Sequence, residues 1–380
     1  MGRWLIPVLI VVALSVGAYT YVEGRQVDGP LTGESTSRAI ADRRAIAVIF
    51  DNFSPDARPQ SGLNAASVVF ETLAEGGITR FMGIYLEHDA PKVGPVRSTR
   101  TYFNSWAAGL GVIFGHDGGN VDALQELPTL TTVYNEDADR IVGPFYRTTD
   151  RAIPHNEYTS TTALRSYAES HGGATTGAPD GILHKSDTSP GQRPTHFQLN
   201  IQFSYGDYNV MWQYDPSTNE YARFMGGSPH LDASTGHQLQ AKNVIVMRTT
   251  ETPAFDPYTP NSIHLGTTGT GPATVYEDGK AIEGHWSKPS ADSPLQWLDT
   301  SNNPIALNRG ATWVEVVPNG DSVTTSQTLP FDGSSDEIAP LRPGPVVVLH
   351  IGIAEQVLED KPGVAGALAD AAVADHFLVW

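Results

Sequence analysis

The chain has 380 residues, enough for two domains and a sizeable core, and 40% of them are hydrophobic, as in globular proteins. Its formal net charge of −18 argues against nucleic acid as a partner, because polyanions are bound by basic surfaces. The absence of cysteine excludes disulfides, thiolate metal sites, a cysteine nucleophile and a lipidated cysteine within this sequence.

The first 24 residues predict a segment that enters the membrane. Arg3 precedes an apolar stretch over residues 4–22, and about 17–25 apolar residues span a bilayer as a helix. A cleaved signal peptide is the alternative, although Ser15-Val16-Gly17 is a weak cleavage site. Either interpretation predicts a body outside the cytoplasm, and the first predicts a single-pass protein of the cell membrane. Residues 25–44 are polar and predict a tether.

Strands and helices alternate over residues 45–171, which predicts a mixed α/β sheet unit. Continuous apolar runs predict buried strands at residues 45–50, 67–73, 79–87 and 112–114. Helices are predicted from residue 98 or 99 to 109, from 121 to 127 after the N-cap Asn120, and from 160 to 171.

The character of the sequence changes after a Gly/Ser/Thr-rich linker at residues 172–194. Residues 195–318 predict a β-rich second unit with strands and hairpins at 210–214, 221–224, 243–248, 272–276, 280–286 and 312–317. Residues 319–380 form a C-terminal extension that begins with a linker-like stretch. The predicted fold class is therefore α+β, with one transmembrane helix before the two units.

The first half of the chain contains the motifs Ala57-Arg58-Pro59-Gln60-Ser61-Gly62-Leu63, Glu75-Gly76-Gly77-Ile78-Thr79-Arg80-Phe81 and Val93-Gly94-Pro95-Val96-Arg97-Ser98. By these motifs the chain resembles the YerB-like family of bacterial envelope lipoproteins, which is built around a two-part domain of unknown function. The resemblance continues at residues 152–156, 212–214, 279–286 and 310–314, and spans about residues 43–318. It implies a membrane-tethered, extracytoplasmic protein but no defined activity. This sequence differs from the lipoprotein members of the family because it has no cysteine that could be lipidated.

Each of the three motifs written out above contains one arginine, and Arg100 follows the third motif. Arginine offers a planar fork of donors for carboxylate or phosphate, and the helix that opens at Thr99 would add a positive dipole end. The predicted ligand-binding residues of this block are Arg58, Gln60, Arg80, Arg97, Ser98 and Arg100. The alternative is ordinary ion pairing, of Arg80 with Glu71 or Glu75 and of Arg97 with Asp51.

Two glutamates are candidate general acids for cleavage of a glycosidic bond. Such a reaction needs a protonated carboxyl group beside the leaving oxygen, often with a second carboxylate. Glu71 and Glu75 are the candidate acids, and Asp51 or Asp117 could supply the second group. The alternative is that Glu71 only pairs with an arginine and fixes the sheet.

Two histidine motifs, His116-Asp117 and His155-Asn156, are candidate ligand-binding sites or proton shuttles. Isolated histidines on separate loops are a weak signal, and hydrogen bonding to the backbone is the more frequent case. The block contains no His-Glu-x-x-His, Gly-x-Ser-x-Gly or phosphate-loop motif. The sequence therefore predicts no metal and no cofactor.

Three functions remain open. The protein could cleave an envelope polymer, with Glu71 or Glu75 as acid. It could bind an anionic envelope polymer or a partner protein without catalysis. By analogy with LytR-like enzymes, it could also transfer a phosphoryl group from a lipid-linked sugar. Recognition of an anionic cell-envelope polymer or lipid-linked sugar, in a cleft lined by Arg and Glu, is the interpretation that the sequence favours.

Overall fold

The computed structural model describes residues 26–195 and 197–327. Within them the α-helices are α1 Arg38–Ala41, α2 Thr101–Leu110, α3 Val121–Glu126 and α4 Thr161–Ser170. None of these helices is long and apolar enough to cross a membrane. The predicted membrane segment at residues 4–22 and the extension beyond residue 327 lie outside the described residues.

The strands are numbered in chain order. The first twelve are β1 Gln26–Asp28, β2 Ser35–Ser37, β3 Ile46–Phe50, β4 Val68–Leu73, β5 Thr79–Tyr85, β6 Ile113–His116, β7 Tyr134–Asp137, β8 Tyr146–Arg147, β9 Glu157–Tyr158, β10 His184–Lys185, β11 Phe197–Gln202 and β12 Asn209–Asp215. The remainder are β13 Glu220–Met225, β14 Ser228–Pro229, β15 Gln240–Ala241, β16 Asn243–Thr249, β17 Glu251–Pro253, β18 Ile263–Leu265, β19 Gly269–Glu277, β20 Lys280–Lys288, β21 Gln296–Asp299, β22 Leu307–Asn308, β23 Thr312–Pro318 and β24 Ser322–Gln327. The α+β part of the predicted fold class is confirmed.

A ten-stranded mixed sheet organises the described residues, in the order β21-β20-β19-β16-β23-β4-β5-β3-β6-β7. Strand β23 from the second half of the chain pairs in parallel with β4 from the first half and with β16. The regions 45–171 and 195–318 therefore contribute strands to one continuous sheet. A second sheet, β14-β13-β12-β11-β24, adds the hairpin strands of the β-rich region.

Both faces of the large sheet are covered, which explains its uninterrupted apolar strands. In β3, Val48 belongs to the core shared with the second sheet, whereas Ile49 belongs to the core under α2. The aromatic stripe of α2 fills that second core, and Trp106 is stacked on Phe70 at 5.0 Å between ring centroids. The stripe is therefore part of the core.

Two segments differ from the sequence prediction. Residues 26–44, predicted as a tether, form the hairpin β1–β2 and α1, and Leu31 is fully buried. The backbone N–H groups of Leu31 and Thr32 donate to Glu87 Oε1 at 2.8 and 3.1 Å. Residues 322–327, predicted as linker-like, form β24, which pairs with β11. The structure of both segments depends on contacts with residues that are distant in the chain, and local composition does not reveal such contacts.

Replacing Leu31 by Ala should lower the free energy of unfolding by about 2–5 kcal/mol, because it opens a cavity in the core under α2. The matched change Leu183→Ala, at a side chain that is 55% exposed, should stay within about 0.5 kcal/mol of the original protein. Urea denaturation measures both values. Equal stability of the two variants would show that residues 26–44 are a tether after all.

Candidate functional site

Acidic residues lie at the carboxyl ends of three neighbouring parallel strands, β3, β6 and β7. Asp51 follows β3, Asp117 follows β6, and Asp137 ends β7. The loop that contains Arg97 is bonded across this edge: Arg97 N–H donates to Ile49 O at 2.9 Å, and Asp117 N–H donates to Arg97 O at 3.1 Å. The backbone thus fixes Arg97 between the first two strands.

Asp51 forms a buried pair with both Arg97 and His155. Its Oδ2 accepts from His155 Nδ1 at 2.7 Å and lies 3.3 Å from Arg97 Nε. Burial alone would raise the pKa of Asp51, but the His155 hydrogen bond and the charges of Arg97 and Arg80 hold it below the ordinary value. Phe53 is stacked on the His155 ring at 5.1 Å. Asp51 is therefore an anion that orients two side chains.

This arrangement leaves the two Nη groups of Arg97 as donors for a ligand, next to the second ring nitrogen of His155. Among the described residues, no hydrogen bond engages Arg97 Nη1 or Nη2, or His155 Nε2. The side chains of Arg97 and His155 are 9% and 13% exposed, so each is partly accessible. The guanidinium fork of Arg97 suits the two oxygens of a carboxylate or phosphate.

Asp117 borders the same site. Burial and the nearby Asp139 raise its pKa to about 6, although Arg147 and Arg97 oppose this shift. Arg147 Nη2 lies 3.4 Å from Asp117 Oδ2, and Arg147 Nε lies 2.7 Å from Glu157 Oε2. Asp117 therefore changes charge in the weakly acidic range, close to Arg97.

Asn156 is buried and holds Arg147 at this border. Its Oδ1 accepts from Arg147 Nη1 at 3.0 Å, and its Nδ2 donates to Thr148 O at 2.7 Å. The sequence prediction missed Arg147. The pairing of β8 with β9 places Arg147 directly opposite Glu157, and these two-residue strands give no usable pattern.

Glu75 is not a general acid. Its two carboxylate oxygens lie 2.5 Å from Arg80 Nη2 and 2.5 Å from Arg100 Nη2. Burial would raise its pKa, but the two arginines dominate and lower it to about 2. The carboxylate stays ionised near neutrality and cannot donate a proton. Arg100 also donates to Thr99 O at 2.6 Å. Arg80 and Arg100 are therefore both bound to groups within the protein.

Arg80 and Ser98 also serve the interior. Arg80 Nη1 donates to Ser98 O at 2.9 Å, so the backbone of Ser98, and not its hydroxyl, is the group that contacts the arginine. Arg80 is only 5% exposed. The ion-pairing alternative of the sequence analysis is therefore the correct one for Arg80, with Glu75 as its partner.

Glu71 is also not a catalytic acid, because it is fully buried. Its Oε1 accepts from Thr79 Oγ1 at 2.7 Å, and its Oε2 accepts from Arg223 of the second sheet. Glu315 lies opposite Glu71 in the β4–β23 register and accepts from Trp212 Nε1 at 2.7 Å. An acid that protonates a polymer must be reachable from solvent, and Glu71 is not.

The Arg223 guanidinium is enclosed by aromatic rings as well as carboxyl groups. Its central carbon lies 4.4 Å from the Trp313 ring centroid and 5.4 Å from those of Trp212 and Phe81. His230 Nδ1 lies 2.6 Å from Arg223 Nη1. Arg223 and Glu315 give no signal in the sequence, because each is a charged residue within a strand far from the arginine block.

The remaining predicted residues of the first motif complete this buried network. Gln60 Oε1 lies 2.8 Å from His230 Nε2, and Gln60 Nε2 donates to Asn52 Oδ1 at 2.9 Å. Arg58 Nε donates to the same oxygen at 2.8 Å, and Arg58 Nη1 donates to Asp207 O at 2.8 Å. Arg58 and Gln60 therefore join the two sheets, although Arg58 also lines a cavity of about 360 Å³.

His116 is structural. It is fully buried, its Nδ1 lies 2.8 Å from Gly118 O, and its Nε2 lies 2.7 Å from Asn135 Oδ1. Both ring nitrogens are occupied, so the ring offers no free base. Over residues 26–195 and 197–327, no group of three or more His, Asp and Glu side chains is arranged to hold a metal ion.

Glu71 and Glu315 should respond differently to replacement by Gln. Burial and the Glu71 charge raise the pKa of Glu315 well above its ordinary value, so Glu315 keeps its proton and Gln can replace it. Glu71→Gln removes the carboxylate that Arg223 contacts and should cost about 3–5 kcal/mol of unfolding free energy, against less than about 1 kcal/mol for Glu315→Gln. Urea denaturation near neutral pH measures both.

The same pair predicts a pH dependence. Above the ordinary glutamate pKa of 4.5, the unfolded chain releases a proton that folded Glu315 retains, so rising pH destabilises the original protein. Relative to it, Glu315→Gln should gain up to about 1.4 kcal/mol per pH unit above that value. Parallel stability curves for the two proteins would contradict a protonated Glu315.

Comparisons with known proteins agree with this architecture. Residues 31–174 match the N-terminal domain, and residues 199–314 the C-terminal domain, of a family described as protein of unknown function DUF3048. "Putative lipoprotein YerB" of Bacillus subtilis (strain 168) is 31% identical over 313 residues, covering 80% of this chain and 90% of that protein.

A solved structure gives the same result for the fold. The crystal structure of the YerB protein from Bacillus subtilis matches with a TM-score of 0.71 and 27% identity, over 79% of this chain and all of that chain. The resemblance noted in the motifs is confirmed. The chain belongs to the DUF3048 family of proteins, and YerB is one of its relatives.

Proposed function

We propose that this protein recognises an anionic cell-envelope polymer by binding a carboxylate or phosphate group between Arg97 and His155. The observation on which the proposal rests is that Asp51 engages one nitrogen of each side chain and leaves Arg97 Nη1 and Nη2 without a hydrogen bond among the described residues. Arg97 is thereby oriented in advance, so a ligand would not have to order a mobile side chain.

Charge supports a binding role at this edge of the sheet. Asp51 is ionised and neutralises part of the positive charge of Arg97. The largely buried guanidinium is therefore paired with a carboxylate even when no ligand is bound. The protein is acidic overall, so long-range attraction of a polyanion is weak. Recognition would therefore depend on the direct bidentate contact with Arg97.

The hydrolytic alternative lacks this support. Cleavage of a glycosidic bond by Glu71 or Glu75 requires an accessible protonated carboxyl group. Glu71 is fully buried against Arg223, and Glu75 is ionised between two arginines. No observation favours the phosphoryl-transfer alternative, so binding is the function we propose.

The envelope location is part of the proposal. The relative in Bacillus subtilis has a name that describes it as a lipoprotein, which supports attachment to the outer side of a membrane. The present sequence has no cysteine, and residues 4–22 form its long apolar stretch. We infer that these residues direct the chain to the membrane, either as an anchor that stays in it or as an export signal that is cleaved.

Replacing Arg97 by Ala should weaken binding to isolated bacterial cell walls by at least about tenfold, because the bidentate donor is lost. Arg97→Lys should have an intermediate effect, since it keeps the charge but not the fork. Co-sedimentation with cell walls, before and after removal of their phosphate polymers, measures affinity and identifies the anion.

Arg309→Ala is the matched control. Arg309 is an exposed arginine that pairs with Asp28 at 2.8 Å, and its loss should leave cell-wall binding unchanged. Circular dichroism verifies that each variant is folded. Equal binding by Arg97→Ala and Arg309→Ala would refute the proposed site.

Binding should also weaken as the pH rises through about 6, because Asp117 then becomes negatively charged near Arg97. Asp117→Asn removes this titration and should flatten the pH profile at the level that the original protein shows in mild acid. Co-sedimentation over a pH series measures the effect. A pH dependence that persists unchanged in Asp117→Asn would assign it to another group.

A further inference from the structure

A separate cavity of about 340 Å³ lies on the α2 face of the ten-stranded sheet. The sheet contributes Phe70, Ile84 and Val314 to its lining, and α2 contributes Trp106. All four side chains are at most 4% exposed, so they form a dry inner surface. Ligand sites of soluble proteins are typically about 300–1,000 Å³ and mainly apolar, and this cavity fits the lower end of that range.

The opening of the cavity is held by the backbone. Ile182 N–H donates to Pro30 O at 2.8 Å, and Leu307 N–H donates to Leu183 O at 2.8 Å. The strand-like segment between these bonds is therefore fixed on both sides and does not fill the space behind it. Leu183 lines the cavity and is nevertheless 55% exposed, which places a large apolar side chain at the entrance.

The charged residues of the lining, Lys288 and Asp180, select against an anionic ligand. Lys288 is fully buried, and its Nζ donates to Ser290 O, Ala291 O and Ser293 O at 3.0, 2.5 and 2.7 Å. An ammonium group has three N–H donors, so none is left for a ligand. Asp180 is exposed at the rim and would repel an anionic head group.

We propose that this cavity binds the alkyl chain of an uncharged amphiphile, with the polar head at the entrance beside Leu183. A group of the size of a methylene or a water takes up about 30 Å³, so the cavity has room for roughly ten of them. Burial of a chain against Phe70, Ile84 and Trp106 supplies the driving force. This site is independent of Arg97 and of the proposed recognition of an anionic polymer.

The test uses the full chain and the neutral dye N-phenyl-1-naphthylamine. The dye should show saturable fluorescence enhancement, and 1-decanol should displace it at a concentration at least about fivefold lower than decanoate, because Asp180 at the rim repels a carboxylate and an apolar cavity penalises a buried charge. Absence of saturable binding, or displacement by decanoate at an equal or lower concentration, would overturn the proposal.

Two variants assign binding to this cavity. Leu183→Arg places a charge at the exposed entrance. Leu295 also lines the cavity, and Leu295→Trp takes up space there without adding a charge. Each change should weaken dye binding at least about fivefold. Val142→Arg is the matched control at a side chain that is 95% exposed, and it should bind the dye normally. Thermal unfolding verifies the fold of each variant. Unchanged binding in both cavity variants would place the dye elsewhere and overturn the proposal.

Discussion

The buried ion pair between Glu71 and Arg223 is the interaction on which the arrangement of the two sheets depends. It joins a central strand of the large sheet to a strand of the second sheet, and both side chains are fully buried. A charge in such a place is tolerated only when it is paired and hydrogen-bonded. Thr79, His230 and the aromatic rings around Arg223 meet this requirement. Much of the polar content of the first sequence motifs is therefore structural.

Local patterns in the sequence were sufficient to predict most of the secondary structure. Asn120 and Ser160 cap the helices that follow them, and Asp278-Gly279 has the positive φ angles that a tight hairpin needs. The pairing of the halves could not be predicted, because Arg223 lies 152 residues after its partner Glu71. For the same reason, the sequence indicates the arginine block but does not show which of its arginines are buried in ion pairs and which one is available to a ligand.

Within that block, Arg97 pairs with Asp51 and differs in this from the arginines that pair with Glu75. Arg80 and Arg100 are committed to Glu75, whereas Arg97 shares Asp51 with His155 and keeps two nitrogens unengaged among the described residues. These two nitrogens form a guanidinium fork that suits a carboxylate or phosphate. The predicted Arg97–Asp51 ion pair and the predicted ligand role of Arg97 are therefore compatible, since one supports the other.

The central position of β23 has a consequence for biosynthesis. Because β23 lies between β4 and β16, the growing polypeptide cannot complete its sheet until residue 318 has been synthesised. A fragment ending near residue 174 would expose the open edge of β4 and would be prone to aggregate. Such non-local topologies assemble slowly. A late closing step of this kind would keep the nascent chain incompletely folded until most of it has been synthesised.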